Sequence, residues 1–153
     1  MLDAKDKKII KELQKNARQS ISKIAKKTHF PRDVVKYRIK KLEENNIISK
    51  YHTFLNLKEI EYPMYTFVMF SLSSYTLNDE KKFISFLTRN KNITYVGILT
   101  GNWDVGINIC SKDFSDFDEI LKDIRFHFSN IIKEFTVGTI LKEIKIDSTA
   151  DLL

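Results

Sequence analysis

The hydrophobic pattern of this chain changes period near Pro63, and that change limits what the chain can fold into. Before it, apolar residues recur at helical spacing in three short runs: Ile9, Ile10 and Leu13, then Ile21, Ile24 and Ala25, then Val35, Ile39 and Leu42. After it, residues 64–73 are β-branched and aromatic, with apolar side chains at odd and even positions alike, which implies a strand buried on both faces. A chain of 153 residues has room for one ordinary domain or two small ones. The pattern divides it into two, residues 1–62 and residues 63–153.

Charge follows the same division. The net charge of +6 is the sum of 16 Lys/Arg and 8 Asp/Glu in residues 1–62, net +8, and 10 and 12 in residues 63–153, net −2. A hydrophobic fraction of 42% with 12% aromatics is enough to build a core, which argues against disorder. No apolar run approaches the ~18 to 20 residues that cross a bilayer, and the N-terminal residues lack a secretory signal, so a cytoplasmic protein without a membrane partner is expected. One cysteine, Cys110, cannot form an internal disulfide, and His29, His52 and His127 lack metal-ligand spacing. Neither a metal nor a cofactor is expected.

The basic half reads as three helices. Asp3 and Asp6 open the first, where the helix dipole favours anions, and Ser20 can cap the second, with Lys23, Lys26 and Lys27 facing away from its apolar side. His29-Phe30-Pro31 breaks the second helix, because the residue before proline resists helical ψ. The third carries Arg32, Lys36, Tyr37 and Lys40 opposite its apolar stripe and runs out at Asn45-Asn46, with residues 47–51 as an extended exit. Two helices joined by a tight turn, the second basic on its open face, are the ingredients of a helix-turn-helix. Between Lys5 and Lys41 there are 14 basic and 3 acidic residues. Such a helix fits the major groove of double-stranded DNA while the surrounding lysines neutralise phosphates.

The residues Leu2-Asp3-x-x-Asp6-x-x-Ile9-Ile10-x-x-Leu13-Gln14, Ser20-x-x-x-Ile24-Ala25 and Arg38-Ile39-x-x-Leu42-Glu43-x-x-x-Ile47-Ile48 resemble the winged helix-turn-helix that opens the Lrp/AsnC family of transcription regulators. The resemblance places the helix-turn-helix proper at about residues 21–40. This chain departs from the family pattern in two places, with His29 where a turn glycine is usual and Pro31-Arg32 where a Ser-Pro opens the recognition helix. Asp33 is expected to take over the cap of that helix. Arg32, Lys36 and Tyr37 are expected to reach base edges; Arg38 and Lys40, with Ser22 and Lys23 at the start of the second helix, are assigned to phosphates.

In the acidic half, residues 78–90 form a helix with Phe83, Phe86 and Leu87 on one side, and residues 93–100 and 104–110 form a hairpin around Gly101-Asn102-Trp103. Asp113 can cap a helix carrying Phe114, Phe117, Leu121, Ile124 and Phe128, and residues 131–146 supply a last strand. The order β-α-β-β-α-β is ferredoxin-like, and the whole is an α+β chain. Two helices cover one face of such a sheet. A second copy is the simplest cover for the other, so a homodimer is expected, with tetramers or octamers as larger assemblies. Cys110, among apolar neighbours, reads as packed in the interior rather than as a redox sensor.

This half also resembles the family, whose effector domain has a Gly-x-x-Asp turn between its middle strands, here Gly101-Asn102-Trp103-Asp104. The resemblance implies a small-molecule effector, commonly an amino acid, near this loop. Backbone amides and Asp104 would hold its charged groups and Trp103 its side chain. Read from the residues alone, the loop is turn chemistry.

Two other classes share the topology. An RNA-recognition sheet would carry Lys/Arg-Gly-aromatic-Gly/Ala-Phe-Val on its third strand, whereas this chain has Asp104-Val105-Gly106-Ile107-Asn108-Ile109 in a net negative half. A sirohaem-decarboxylase-like enzyme would need His and Arg near its substrate, and here the histidines are scattered. No glycine-rich phosphate loop or nucleophile motif rises above chance. A DNA-binding transcription regulator, not an enzyme, is the expectation.

Overall fold

The computed structural model describes residues 2–146 and 149–153. Its contacts divide the chain into two compact units, residues 1–54 with 144–153, and residues 55–143.

In the first unit, helices α1 (Ala4–Lys15), α2 (Ile21–Thr28) and α3 (Arg32–Glu44) enclose a core of Ile9, Leu13, Ile24, Ala25 and Val35. Asp3 starts α1 through a capping box: its Oδ1 accepts from the N–H groups of Lys5 and Asp6 at 2.8 and 2.9 Å, and Asp6 Oδ2 accepts from the Asp3 N–H at 3.2 Å. Ser20 Oγ caps α2 by accepting from the Lys23 N–H at 3.2 Å. The turn to α3 hinges on His29, left-handed at φ 59°, ψ 35°, after which the Phe30 N–H donates back to Ala25 O at 3.1 Å. This left-handed position is where glycine is usual, and it shows that the turn geometry is kept with a histidine. At the far end of α3, Asn46 is left-handed, its N–H donates to Glu43 O and the Ile47 N–H donates to Leu42 O, a Schellman exit.

The capping role expected of Asp33 is not what the structure shows. Pro31 occupies the N-cap position of α3 without a side-chain cap, and Asp33 lies inside the first turn, exposed, where its charge can only complement the helix dipole. Residues 49–56 have no regular secondary structure.

The second unit runs β1 (Met64–Leu72), α4 (Leu77–Arg89), β2 (Ile93–Ile98), β3 (Val105–Ser111), α5 (Phe114–His127) and β4 (Ile132–Thr139). All pairings are antiparallel in the order β2-β3-β1-β4, the ferredoxin-like arrangement. Thr76 with Asp79 caps α4, and Asp113 caps α5. Val68, Phe70 and Leu72 of β1 and Val105, Ile107 and Ile109 of β3 form one core with Phe83, Leu87, Leu121 and Ile124 of the helices. Phe70 and Phe83 meet edge to face, their centroids 5.5 Å apart. Phe114 is the exception in the α5 stripe. It stands at the first helical position and is 74% exposed, and packing against the core starts at Phe117.

The opposite sheet face carries Tyr65, Phe67 and Met69, half-buried within one chain, next to Gly106, Asn108 and Cys110. A Cβ on Gly106 would lie 2.9 Å from Phe67 Cζ, so glycine lets that ring settle onto β3. Cys110 is buried, as expected, but on this face rather than under the helices; burial pushes its thiol pKa up, which disfavours the reactive thiolate.

The last strand stops at Thr139, not at residue 146. β1 begins at Met64, and once Thr139 has paired with Thr66 and the Ile140 N–H has bonded Tyr65 O, β4 has almost no partner strand left. Downstream, Leu141 and Ile144 are 94% and 82% exposed. The chain then returns to the first unit, where a 3-10 helix (Thr149–Leu152) meets α1: Gln14 Oε1 accepts from the Ala150 N–H at 2.7 Å, and Gln14 Nε2 donates to Thr149 Oγ1 at 3.3 Å. A single division at Pro63 groups this tail with the second unit, whereas its contacts group residues 144–153 with the first.

Candidate nucleic-acid interface

Helical geometry sets the open face of α3. Arg32, Lys36 and Lys40 fall at i, i+4 and i+8, Tyr37 and Lys41 on the neighbouring row, and all five are exposed, while Val35 and Leu42 are buried on the opposite side. Tyr37, at 65% exposure, is a large aromatic kept in solvent. Lys41 joins the four residues expected on this face, and its spacing of four from Tyr37 is the sequence signal that places it there. Lys40 makes a solvent-exposed pair with Glu44 at 3.6 Å, an interaction too weak to withhold it from a phosphate. Ser22 and Lys23 are exposed in the first turn of α2.

Arg38 departs from its assignment. It lies off the open face, its side chain 22% exposed, and Nη1 donates at 2.7 Å both to Asp3 Oδ2 and to Asp6 Oδ1. The two carboxylates hold the Arg38 pKa above its ordinary value, and the Asp3 carboxyl is held down by the Asp6 N–H and by Arg38. Arg38 thus ties α3 to α1.

A second ionic tie joins α1 to α2. Glu12 accepts from Lys15 and Lys27, each at 2.8 Å, and these bonds pull its carboxyl down to about 2. Lys5 and Lys8 lie 5.7 and 5.9 Å from the Phe30 ring centroid, placing α1 cations over the turn of the helix-turn-helix.

In the second unit the hairpin loop closes with the Leu99 N–H donating to Asp104 O at 2.8 Å, and Gly101 at φ 104° occupies a region that favours glycine. Gly101 and Asn102 are exposed; Trp103 and Asp104 are half-buried. One Asp104 carboxylate oxygen is already engaged, accepting from the Leu72 N–H at 2.7 Å. Two grooves lie elsewhere on this unit, one lined by Lys81, Phe86, Arg89 and Phe128, the other by Arg125, Phe126, Lys133 and Phe135. Among the described residues no three His, Cys, Asp or Glu side chains converge as metal ligands, and no helix is long and apolar enough to cross a membrane.

Residues 2–49 match the family model for winged helix-turn-helix DNA-binding domains. The chain is 30% identical over 121 residues to an HTH-type transcriptional regulator of Pyrococcus furiosus, an alignment covering 79% of this chain and 81% of that protein. In fold it is similar to a transcriptional regulator of Neisseria meningitidis solved as its L-Met complex, with a TM-score of 0.88, 21% identity and all of both chains covered. It is likewise similar to an AsnC family transcriptional regulator of Agrobacterium tumefaciens, with a TM-score of 0.85, 20% identity and 96% and 95% of the two chains covered.

Proposed function

Because this chain belongs to the HTH-type transcriptional regulators, has the Lrp/AsnC fold and regulates transcription by binding DNA, we propose that it reads its operator through the open face of α3. Arg32, Lys36 and Tyr37 reach base edges, and Lys40, Ser22 and Lys23 contact phosphates. The observation that carries this reading is the separation within one helix: Arg38 is tied to α1 while Arg32, Lys36 and Lys40 line one exposed row. A protein with DNA as its partner, acting in the cytoplasm without catalysis, accords with the relatives being transcription regulators.

The functional unit in this reading is a homodimer formed through the sheet face of Tyr65, Phe67 and Met69, with tetramers or octamers built from it. Half-buried aromatics in a single chain support the dimer. A dimer presents two recognition helices, so the operator is a pseudo-palindrome with half-sites about one helical turn (~34 to 36 Å) or a multiple apart. The loop Gly101-Asn102-Trp103-Asp104 takes an amino-acid effector where dimers meet. The N. meningitidis regulator solved with L-Met supports an amino acid as the ligand class. Such a ligand changes DNA affinity only as far as it prefers one assembly state.

The test is a footprint on DNA upstream of the protein's own gene, with and without each amino acid. Protection of a two-fold-related site is expected. No protection of any genomic fragment at moderate salt would sink the reading.

A further inference from the structure

We propose that Arg38 is a positioning residue for DNA reading: together with Asp3 and Asp6 it fixes α3 on α1, so that discrimination between DNA sequences depends on a residue that does not touch DNA. The inference rests on α3 being the reading helix. Three features on the molecule point to it. Both carboxylates are already oriented before Arg38 arrives, since Asp3 Oδ1 is held by the Lys5 and Asp6 N–H groups and Asp6 Oδ2 by the Asp3 N–H. Their remaining oxygens, Asp3 Oδ2 and Asp6 Oδ1, converge at 2.7 Å on a single Arg38 nitrogen. Little side-chain freedom is left to lose, which distinguishes this cluster from a loose surface pair.

The second feature is location. Arg38 sits midway along α3, between Val35 and Leu42 of the buried side, so the tie acts at the middle of the helix. Lys36 lies about half a turn and Arg32 just under two turns toward the N-terminus, and Lys40 lies about half a turn beyond it. Tilting or rotating α3 about its apolar contacts moves all three side chains relative to the rest of the unit. The third is the lack of a side-chain cap at Pro31, which leaves the N-terminal end of α3 without the anchor that fixes the other helices. The ionic tie to α1 supplies a polar constraint that the cap does not. Base contacts tolerate little displacement because paired hydrogen bonds have fixed geometry, whereas phosphate contacts made by flexible lysines tolerate more.

The test compares Arg38→Gln, Asp6→Asn and the double variant in the full chain. Asparagine at position 6 keeps an oxygen for the Asp3 N–H. Two duplexes of equal length are used, one selected from randomised DNA by the unaltered protein and one of random sequence, with binding measured over a salt series well below each variant's melting midpoint. Both single variants are expected to lower the ratio of specific to random affinity on the order of tenfold, equivalent to about 1.4 kcal/mol. Affinity for random DNA and its salt slope stay unchanged, and the double variant is no worse than either single one. Two results overturn the inference alone. If Arg38→Gln weakens both duplexes alike and reduces the salt slope by about one while Asp6→Asn does not, Arg38 contacts phosphate. If the melting midpoints fall but the ratio holds, the tie serves stability only. Failure of the unaltered protein to prefer any selected duplex overturns the underlying reading as well.

Discussion

The Oδ2 atom of Asp104 accepts a hydrogen bond from the backbone N–H of Leu72 at 2.7 Å, and the Asp104 N–H donates to Phe70 O at 2.9 Å. The residue that closes the β2–β3 hairpin is therefore also a clamp on the end of β1. An effector that engages this carboxylate shares it with the sheet.

Replacing Asp104 by alanine leaves the Leu72 N–H without its acceptor and is expected to cost about 1 to 3 kcal/mol. Asp104→Asn keeps an acceptor and costs less. Thermal melts of the two variants without any effector check this. Equal midpoints for Asp104→Ala and the unaltered protein would show that the bond does not contribute to stability.

The Glu12 cluster gives the first unit an acid-sensitive element. Its carboxyl is lowered from 4.5 to about 2 in the folded chain by bonds to Lys15 and Lys27. A depressed folded value means that this stabilisation is complete above pH 4.5 and is lost as pH falls toward 2. Glu12→Gln is expected to lower stability by about 0.5 to 1 kcal/mol at neutral pH and to flatten the fall between pH 4.5 and 2, read from denaturant midpoints across that range. An unchanged acid profile would show that the cluster contributes nothing.

His29 holds a left-handed conformation at φ 59° that costs a residue with a Cβ ~1 to 2 kcal/mol. His29→Gly removes that cost and restores some of it through the freer unfolded chain, so a net gain of under ~1 kcal/mol is expected. A melting midpoint below that of the unaltered protein would indicate that the imidazole makes a contact worth more than the backbone strain.

On DNA, the reading face predicts a contrast between two variants. Lys40→Ala should weaken binding about equally on all sequences and reduce the salt slope by about one. Arg32→Ala should relax discrimination at one base position, at a cost of ~1 to 3 kcal/mol. Affinities on a set of single-base operator variants separate the two. Uniform losses for both would remove Arg32 from the base-reading set.

Periodicity showed the helices and strands because each buries one stripe or face, and burial writes its period into the sequence. Ile9, Ile24, Val35 and Leu42 are buried as their spacing implies, and Phe83, Leu121 and Ile124 likewise. What the sequence does not show lies where position along the chain does not determine partner. Arg38 has the composition of a phosphate contact, but its carboxylate partners are 35 and 32 residues away in sequence, and no local pattern marks that distance. Asp33 has capping chemistry two residues too late, a matter of where Pro31 lets the helix start. The apolar residues after Thr139 continue a strand-like pattern past the end of the strand that could pair with them. The open face of α3 was legible because it is a property of one helix; the tie that holds that helix was not, because it is a property of two.

The return of the 3-10 helix to Gln14 makes the DNA-binding unit discontinuous along the gene. A premature stop or frameshift near codon 144 would delete none of the residues assigned to DNA, yet it would strip Ala150 from α1 and leave that flank of the unit bare. Lesions in the codons for residues 144–153 should therefore be recovered in a genetic screen for lost operator binding, alongside lesions in those for the three helices.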